Sequence, residues 1–207
     1  SFIAQTKLAE KEGLERLKEI PIGHQVVVIG AGNTAIDAAT IAKRLGAERV
    51  TIVYRRSEKE MPAYDFEYSF IKQEGVEFRF LTQPVEVLGE NGKVTGLKCL
   101  KMQLSAPGED GRRQPIPVPG SEHVIACDQV IKAIGQEKLV NLFERFGVGL
   151  ERGYVKVDEH LRTSNPKVFA GGDCIRATGQ AMTVTATEDG KQAARSIHAW
   201  LSNEAAD

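Results

Sequence analysis

The sequence predicts an α/β chain built around a Rossmann-like, parallel-stranded domain, and three observations carry that prediction. A G-x-G-x-x-A run stands between a β-branched stretch and an alanine-rich helical stretch, in the segment GHQVVVIGAGNTAIDAATIAKRLGAERVTIVYRR from Gly23 to Arg56. Strand and helix patterns go on alternating after it, as a parallel sheet with crossover helices requires. From Pro84 to Ala126 the pattern holds strand periodicity and turn residues without a helix, which reads as an antiparallel β-meander inserted into that domain.

Residues 2–20 are charged throughout and read as an amphipathic helix or pair of helices broken at Gly13, with Pro21 and Gly23 linking into the first strand. Residues 1–22 are thus a helical lead-in. Gln25 to Ile29 is a β-branched run suited to a strand buried on both faces, and it stops at Gly30, where a tight turn needs a residue without a Cβ. Gly32 lets the backbone approach a pyrophosphate, and Ala35 takes the third small position, where helix packs closely on strand. Ala35, Ala38, Ala39, Ala42 and Leu45 recur at helical spacing, and Gly46 stands where a helix C-cap belongs. The free N–H groups near Asn33 and Thr34 would face phosphates and hold them through the helix dipole.

Cofactor choice falls at the end of the second strand, Val50 to Tyr54. An NAD site places a carboxylate there for the ribose 2′-hydroxyl. This chain has Arg55 and Arg56 instead, and guanidinium groups bind a 2′-phosphate bidentately. NADPH is therefore expected over NADH. The alternative is a solvated strand end with Glu58 and Glu60 as partners of the arginines.

A polar loop to Pro62 and Ala63 precedes a helix from Tyr64 to Glu74 and a strand from Val76 to Leu81. Pro84–Gly89, Val94–Leu104 and Ile116–Ala126 read as the strands of the meander, with turns at residues 90–92 and 107–113. A strand from Asp128 to Ile134 returns to the parallel sheet and ends at Gly135; a short helix follows from Leu139 to Phe146. Strands at Tyr154–Val157 and Val168–Ala170 then lead to Gly171-Gly172-Asp173 and a long helix from Gln180 to Leu201. The expected boundaries are 1–22, 23–136 and 137–207.

Composition narrows the function. Of 207 residues, 27 are Lys or Arg and 28 are Asp or Glu, so no broad basic field exists for nucleic acid or an anionic membrane. No apolar run is long enough to span a bilayer, and the N-terminal residues lack a signal-peptide core, which makes the cytoplasm the expected location. Cys99, Cys127 and Cys174 are far apart with no C-x-x-C, so no metal site and no dithiol pair are expected, and a disulfide reductase is excluded. Each reads as a small buried residue. His24, His123, His160 and His198 read as surface or linker residues, Trp200 as a packing anchor, and Lys191 as structural.

The stretch Thr163 to Asp173, TSNPKVFAGGD, resembles the second flavin-binding motif of two-dinucleotide-domain flavoproteins. Within them the sequence is most similar to the small (β) subunit of NADPH-dependent glutamate synthase and the flavoprotein part of dihydropyrimidine dehydrogenase. VIGAGNTAIDAA, VYRRSEKEMPA, GRRQPIPVPGSE, VIKAIGQ and DGKQAA carry that likeness over nearly the whole chain. The resemblance implies that residues 137–207 are the C-terminal part of a split FAD-binding domain. Gly30, Gly32, Asn33, Thr34, Ala35, Arg55 and Arg56 would bind NADPH. Ala133, Ile134 and Gly135 would mark the crossover near both cofactors. Gly172 and Asp173 would meet the ribityl chain of FAD, and Gln180, Ala181, Met182 and Thr183 its pyrimidine edge, where a helix N-terminus stabilises anionic reduced flavin.

The same resemblance implies hydride transfer from NADPH to FAD and on through iron-sulfur clusters to a larger catalytic subunit. No acid, base or nucleophile from this chain is needed for that step. One feature departs from the family: there is a single G-x-G-x-x-A unit, whereas the ADP half of FAD needs another, and cysteine-rich cluster ligands are missing too. The chain is therefore expected to be a fragment of a longer flavoprotein, able to bind NADPH and inactive alone. A dihydropyrimidine dehydrogenase-like flavoprotein and a non-catalytic NADP-binding module remain the alternatives.

Overall fold

The computed structural model describes residues 2–109, 111–135, 138–176 and 182–204. The chain divides into two compact units, Ser1–Gly135 and Gln136–Asp207.

In the first unit, helices α1 (Phe2–Glu12) and α2 (Leu14–Lys18) meet at Gly13, and Phe2, Ile3 and Ile22 pack against the main core. The lead-in is thus part of this unit's packing. Strand β1 (Gln25–Ile29) runs into helix α3 (Asn33–Arg44) and strand β2 (Arg49–Val53). A single 3₁₀ turn at Glu58–Glu60, helix α4 (Asp65–Gln73) and strand β3 (Glu77–Arg79) complete the first half of the domain. Strands β4 (Thr82–Glu90), β5 (Lys93–Pro107), β6 (Arg113–Pro117) and β7 (His123–Ala126) form the insertion, and β8 (Gln129–Lys132) returns to the sheet. The parallel sheet has the order β3-β2-β1-β8, with Val27 facing Thr51 on one side and Val130 on the other.

The alternation of β1 explains why the insertion exists. Val26 and Val28 join Val50 and Ile52 of β2, the fully buried Ala35, Ala38, Ala39 and Ala42 of α3, and Ile71 of α4 in one core. Val27 and Val53 point to the other face, where Leu97 and Cys99 of β5 and Cys127 bury them. Successive strand residues face opposite sides, so a central strand needs two covers. Here an antiparallel sheet supplies the second.

The meander departs from its expected form at one place. The run Ile116–Ala126 is two strands, β6 pairing Met102–Pro107 and β7 pairing Gly96–Cys99, laid end to end along the same edge of β5. Pro119 and Gly120 break the ladder. Val118 N–H still donates to the Lys101 carbonyl (2.9 Å), and the Ser121 hydroxyl accepts the Lys101 N–H (3.0 Å), so the gap is bridged by a side chain. The β3 strand is also shorter than expected, because the chain turns at Leu81 (φ +49°) to start β4.

The second unit holds α5 (Val140–Arg145), a two-stranded ribbon of β9 (Leu150–Glu151) and β10 (Tyr154–Val155), a 3₁₀ turn at Gly172–Ile175, and α6 (Thr183–Glu204). The expected strand Tyr154–Val157 contracts to two residues and Val168–Ala170 to one bridge between Arg162 and Phe169, since among the described residues no longer partner strand pairs with them. Gln180 and Ala181 lie outside the described residues, and α6 continues three residues beyond the expected end at Leu201. Among the described residues no helix is long and apolar enough to cross a membrane.

Gly30 has φ +121°, and a Cβ there would lie 2.3 Å from the Ala133 carbonyl oxygen. Gly32 has φ −87°, and a Cβ there would meet only Pro62 Cγ at 3.8 Å. Gly30→Ala is therefore expected to cost about 2–4 kcal/mol and Gly32→Ala less than about 1 kcal/mol, read as chemical-denaturation midpoints.

Candidate dinucleotide-binding site

The C-terminal edge of the parallel sheet gathers most of the residues that the sequence singled out. Gly30 N–H donates to the Val53 carbonyl (3.0 Å) and Ala133 N–H to the Ile29 carbonyl (2.8 Å), which pins the glycine loop between the ends of β2 and β8. The next residues form the start of α3. Gly32 is its N-cap, with no side chain capping the turn, and its carbonyl accepts the N–H groups of Ala35 (2.8 Å) and Ile36 (3.2 Å). Nothing in the protein's own packing or backbone calls for glycine at position 32. A Cβ there would only touch Pro62 at ordinary contact distance, and a dinucleotide-binding turn brings a pyrophosphate against this position.

Asn33 adds a second mark of an external partner: its buried Oδ1 has no hydrogen bond among the described residues. A buried acceptor left unpaired costs roughly 1–3 kcal/mol unless a ligand or water meets it. Thr34 is exposed and Ala35 fully buried against the sheet. Ala133 and Ile134 border the same edge, Ile134 with 63% of its surface exposed, and Gly135 turns away at φ +101°.

The loop after β2 forms the other wall. Ala63 N–H donates to the Ala31 carbonyl (3.2 Å), and Leu81 N–H to the Arg56 carbonyl (3.0 Å). Tyr54 donates its hydroxyl to the Glu60 carbonyl (2.8 Å); burial raises the pKa of this phenol, and the charges of Arg56 and Arg55 oppose that rise. Arg55 is exposed and Arg56 half-buried, and neither guanidinium forms an ion pair among the described residues. One acidic neighbour is engaged elsewhere. Glu60 accepts the N–H (3.1 Å) and hydroxyl of Ser57, contacts that hold its carboxyl below the ordinary carboxylate range. Among the described residues, two cations thus stand without an ion-pair partner at the end of β2.

In the second unit, Asp173 is exposed on the 3₁₀ turn. Its position depends on Asp189 of α6, only 8% exposed, whose Oδ2 accepts the Gly172 N–H (2.8 Å) and Arg176 Nη2 (2.6 Å). A Cβ on Gly171 would fall 2.7 Å from Asp189 Cβ, so the glycines let helix and loop touch. Met182 immediately precedes α6, its carbonyl accepting Ala186 N–H (3.0 Å), and Thr183 begins the helix. The segment DGKQAA by itself does not mark Asp189 as the residue that holds this turn; the available signal is a carboxylate two turns inside an amphipathic helix, preceding Gly190.

The remaining candidates are structural. Cys99 and Cys127 are buried, and burial with the neighbouring Cys127 pushes the Cys99 thiol up to about 11. Burial also raises the thiol of Cys127, and that of Cys174, which, against expectation, is only partly buried because it sits on the 3₁₀ turn with its Sγ bonded to the Gly171 carbonyl (3.2 Å). Raised thiols are poor nucleophiles. Trp200 packs at 6.2 Å from Phe169 with Arg162 over both rings, and Lys191 pairs with Glu188 on the surface of α6. No group of His, Cys, Asp and Glu able to hold a metal ion occurs among the described residues.

Residues 2–190 match the family model described as pyridine nucleotide-disulphide oxidoreductase. The NADP(+)-dependent formate dehydrogenase subunit beta of Moorella thermoacetica is 41% identical over 202 residues, covering 97% of this chain and 28% of that protein. The glutamate synthase (NADPH) small chain of Halomonas elongata is 43% identical over 185 residues, covering 86% and 39%. The NADPH-Fe(3+) oxidoreductase subunit beta of Geobacter sulfurreducens is 38% identical, covering 92% and 33%. The chain thus spans about a third of the length of these relatives. Among solved structures, T. acidophilum thioredoxin reductase superposes with a TM-score of 0.68 at 28% identity, over 84% of this chain and 52% of that one.

Removing the Asp189 carboxylate strands the partly buried Arg176 charge and the Gly172 N–H. Asp189→Ala is expected to lower stability by about 3 kcal/mol, with Asp189→Asn intermediate, in urea unfolding. For Cys99, folding holds the thiol above its ordinary value of 9.0. Its contribution to stability is complete below about pH 9 and is lost as pH climbs toward 11. Native protein at pH 8 should resist iodoacetamide at Cys99 while urea-unfolded protein reacts; rapid native alkylation there would contradict the assigned burial.

Proposed function

The chain belongs to the pyridine nucleotide-disulphide oxidoreductase family, and from that premise we propose that it is the NADPH-oxidising part of an electron-entry flavoprotein, most like the small subunit of glutamate synthase. The observation that carries this reading is the pair of guanidinium groups, Arg55 and Arg56, without ion-pair partners among the described residues, at the end of β2 beside a glycine loop whose Gly32 the fold itself does not require. Three relatives bear names that share NADP(H) and differ in the other reactant: formate dehydrogenase, glutamate synthase and Fe(3+) oxidoreductase. What this chain has in common with all of them is then the NADP(H) side of the reaction.

Each residue has a defined task in this reading. Gly30 sets the turn, Gly32 admits the pyrophosphate, and the first N–H groups of α3 at Asn33 and Thr34 hold it through hydrogen bonds and the helix dipole. Ala35 keeps α3 close enough to the sheet to aim them. Arg55 and Arg56 take the 2′-phosphate through charge-assisted hydrogen bonds. Ala133, Ile134 and Gly135 border the crevice at the end of β8, and the exposed Ile134 side chain offers an apolar surface that keeps water from a nicotinamide ring.

FAD, when bound, supplies the two-electron acceptor for the hydride. The second unit fits such a group in its donor set: exposed Asp173 can accept a ribityl hydroxyl, buried Gly172 brings the backbone close, and Thr183 begins α6, with Gln180, Ala181 and Met182 before it. Asp189 holds that turn in place. Clustered iron-sulfur centres, the larger catalytic subunit that receives the electrons, and a cytoplasmic setting belong to the same proposal for the whole protein. In it, residues 23–136 form the NADPH-binding domain and residues 137–207 part of the flavin domain.

Titration calorimetry with NADP⁺ and NAD⁺ tests the assignment. Arg55→Ala and Arg56→Ala should each weaken NADP⁺ by about ten- to a hundredfold, the worth of a charge-assisted contact of about 1.5–3 kcal/mol, and change NAD⁺ less than about threefold. Equal affinity of the unaltered protein for the two nucleotides would overturn it.

A further inference from the structure

Glu60 lies four residues past Arg56, at the end of the 3₁₀ turn, where its carboxylate is held by Ser57 and its backbone by Tyr54. Oε2 accepts the Ser57 N–H (3.1 Å) and the Ser57 hydroxyl, while the Glu60 carbonyl accepts the Tyr54 hydroxyl (2.8 Å). The turn itself is anchored at both ends, by Leu81 N–H on the Arg56 carbonyl and by Ala63 N–H on the Ala31 carbonyl. A main-chain N–H and a hydroxyl immediately after an arginine pair are donors that suit a phosphate, and a carboxylate satisfies them by the same charge-assisted bonds. Here an internal anion already has them.

We propose that Glu60 is a specificity-determining residue that acts against the 2′-phosphate. It occupies the Ser57 donors and repels a dianion drawn to Arg55 and Arg56, so the preference for a 2′-phosphorylated nucleotide is the balance between the two arginines and this one carboxylate. The contacts with Ser57 favour the ionised form, and the charge of Arg113 from the start of β6 acts on Glu60 in the same direction. The carboxylate is therefore charged at neutral pH. The proposal rests on the reading of Arg55 and Arg56 given above. It adds that NADP(H) affinity is held below what those arginines alone would give, which for a substrate that must leave after each turnover keeps release fast.

Glu60→Gln separates charge from shape, because the amide oxygen can still accept from Ser57. Binding of 2′,5′-ADP and 5′-AMP, which differ only in the 2′-phosphate, is measured by calorimetry on the full chain. The substitution should tighten 2′,5′-ADP by about three- to tenfold and leave 5′-AMP within about twofold. A ratio of affinities that stays unchanged or falls overturns the proposal, as does an equal shift for both ligands, which is what a purely structural role of the turn produces. Arg56→Ala in parallel tells two failures apart. If it lowers the ratio and Glu60→Gln does not raise it, the role of Glu60 fails alone; if neither variant moves the ratio, the 2′-phosphate assignment fails with it.

Discussion

The site depends on one close contact: the backbone of Gly30 passing the carbonyl of Ala133 at a distance that admits no side chain. That contact sets how β1 and β8 end, and their ends set where α3 begins. Because Gly30 N–H is bonded to Val53, the end of β2 is fixed by the same turn, and with it the arginines that follow. A bulkier residue at position 30 would shift all three strand ends together. Position 32 is different in kind, since neither its φ of −87° nor its nearest neighbour, Pro62 Cγ at 3.8 Å, requires a glycine.

Burial on two faces is the second constraint, and it explains why a domain of this type carries an antiparallel insertion. The alternation in β1 sends Val26 and Val28 to the helices and Val27 away from them. A strand of this kind cannot leave either face to water, so Leu97, Cys99 and Cys127 close the second side. Burial then makes the thiols inert. The cysteines are thus consequences of the packing, and the redox chemistry proposed for the protein makes no use of them.

Charge organises what packing leaves open. Among the described residues Arg55 and Arg56 have no ion-pair partner, and the nearby Glu60 carboxylate is held by Ser57 instead. In the second unit the logic reverses: Asp189 is buried, pairs with Arg176 and holds a loop whose own carboxylate, Asp173, is left exposed. One carboxylate positions while the other is presented. In the first unit the start of α3 also leaves the buried Asn33 Oδ1 without a hydrogen-bond partner among the described residues.

The strand-turn-helix-strand from Gln25 to Val53 was legible in the sequence almost to the residue, because alternation of β-branched side chains, the alanine stripe and a turn without Cβ are local instructions. The arginines after β2, the burial of Cys99 and Cys127 though not of Cys174, and the packing role of Trp200 were legible for the same reason. The split of Ile116–Ala126 into β6 and β7 was not, since its cause is the fit of two segments against distant β5, although Pro119-Gly120 marked the place. Nor was the clamp of Asp189 on Gly172, 17 residues away. By itself the sequence determined the elements and the kind of ligand they suit. Only the tertiary structure decided which polar groups stay free for that ligand, because a hydrogen bond is spent or spared according to neighbours that the chain order does not reveal.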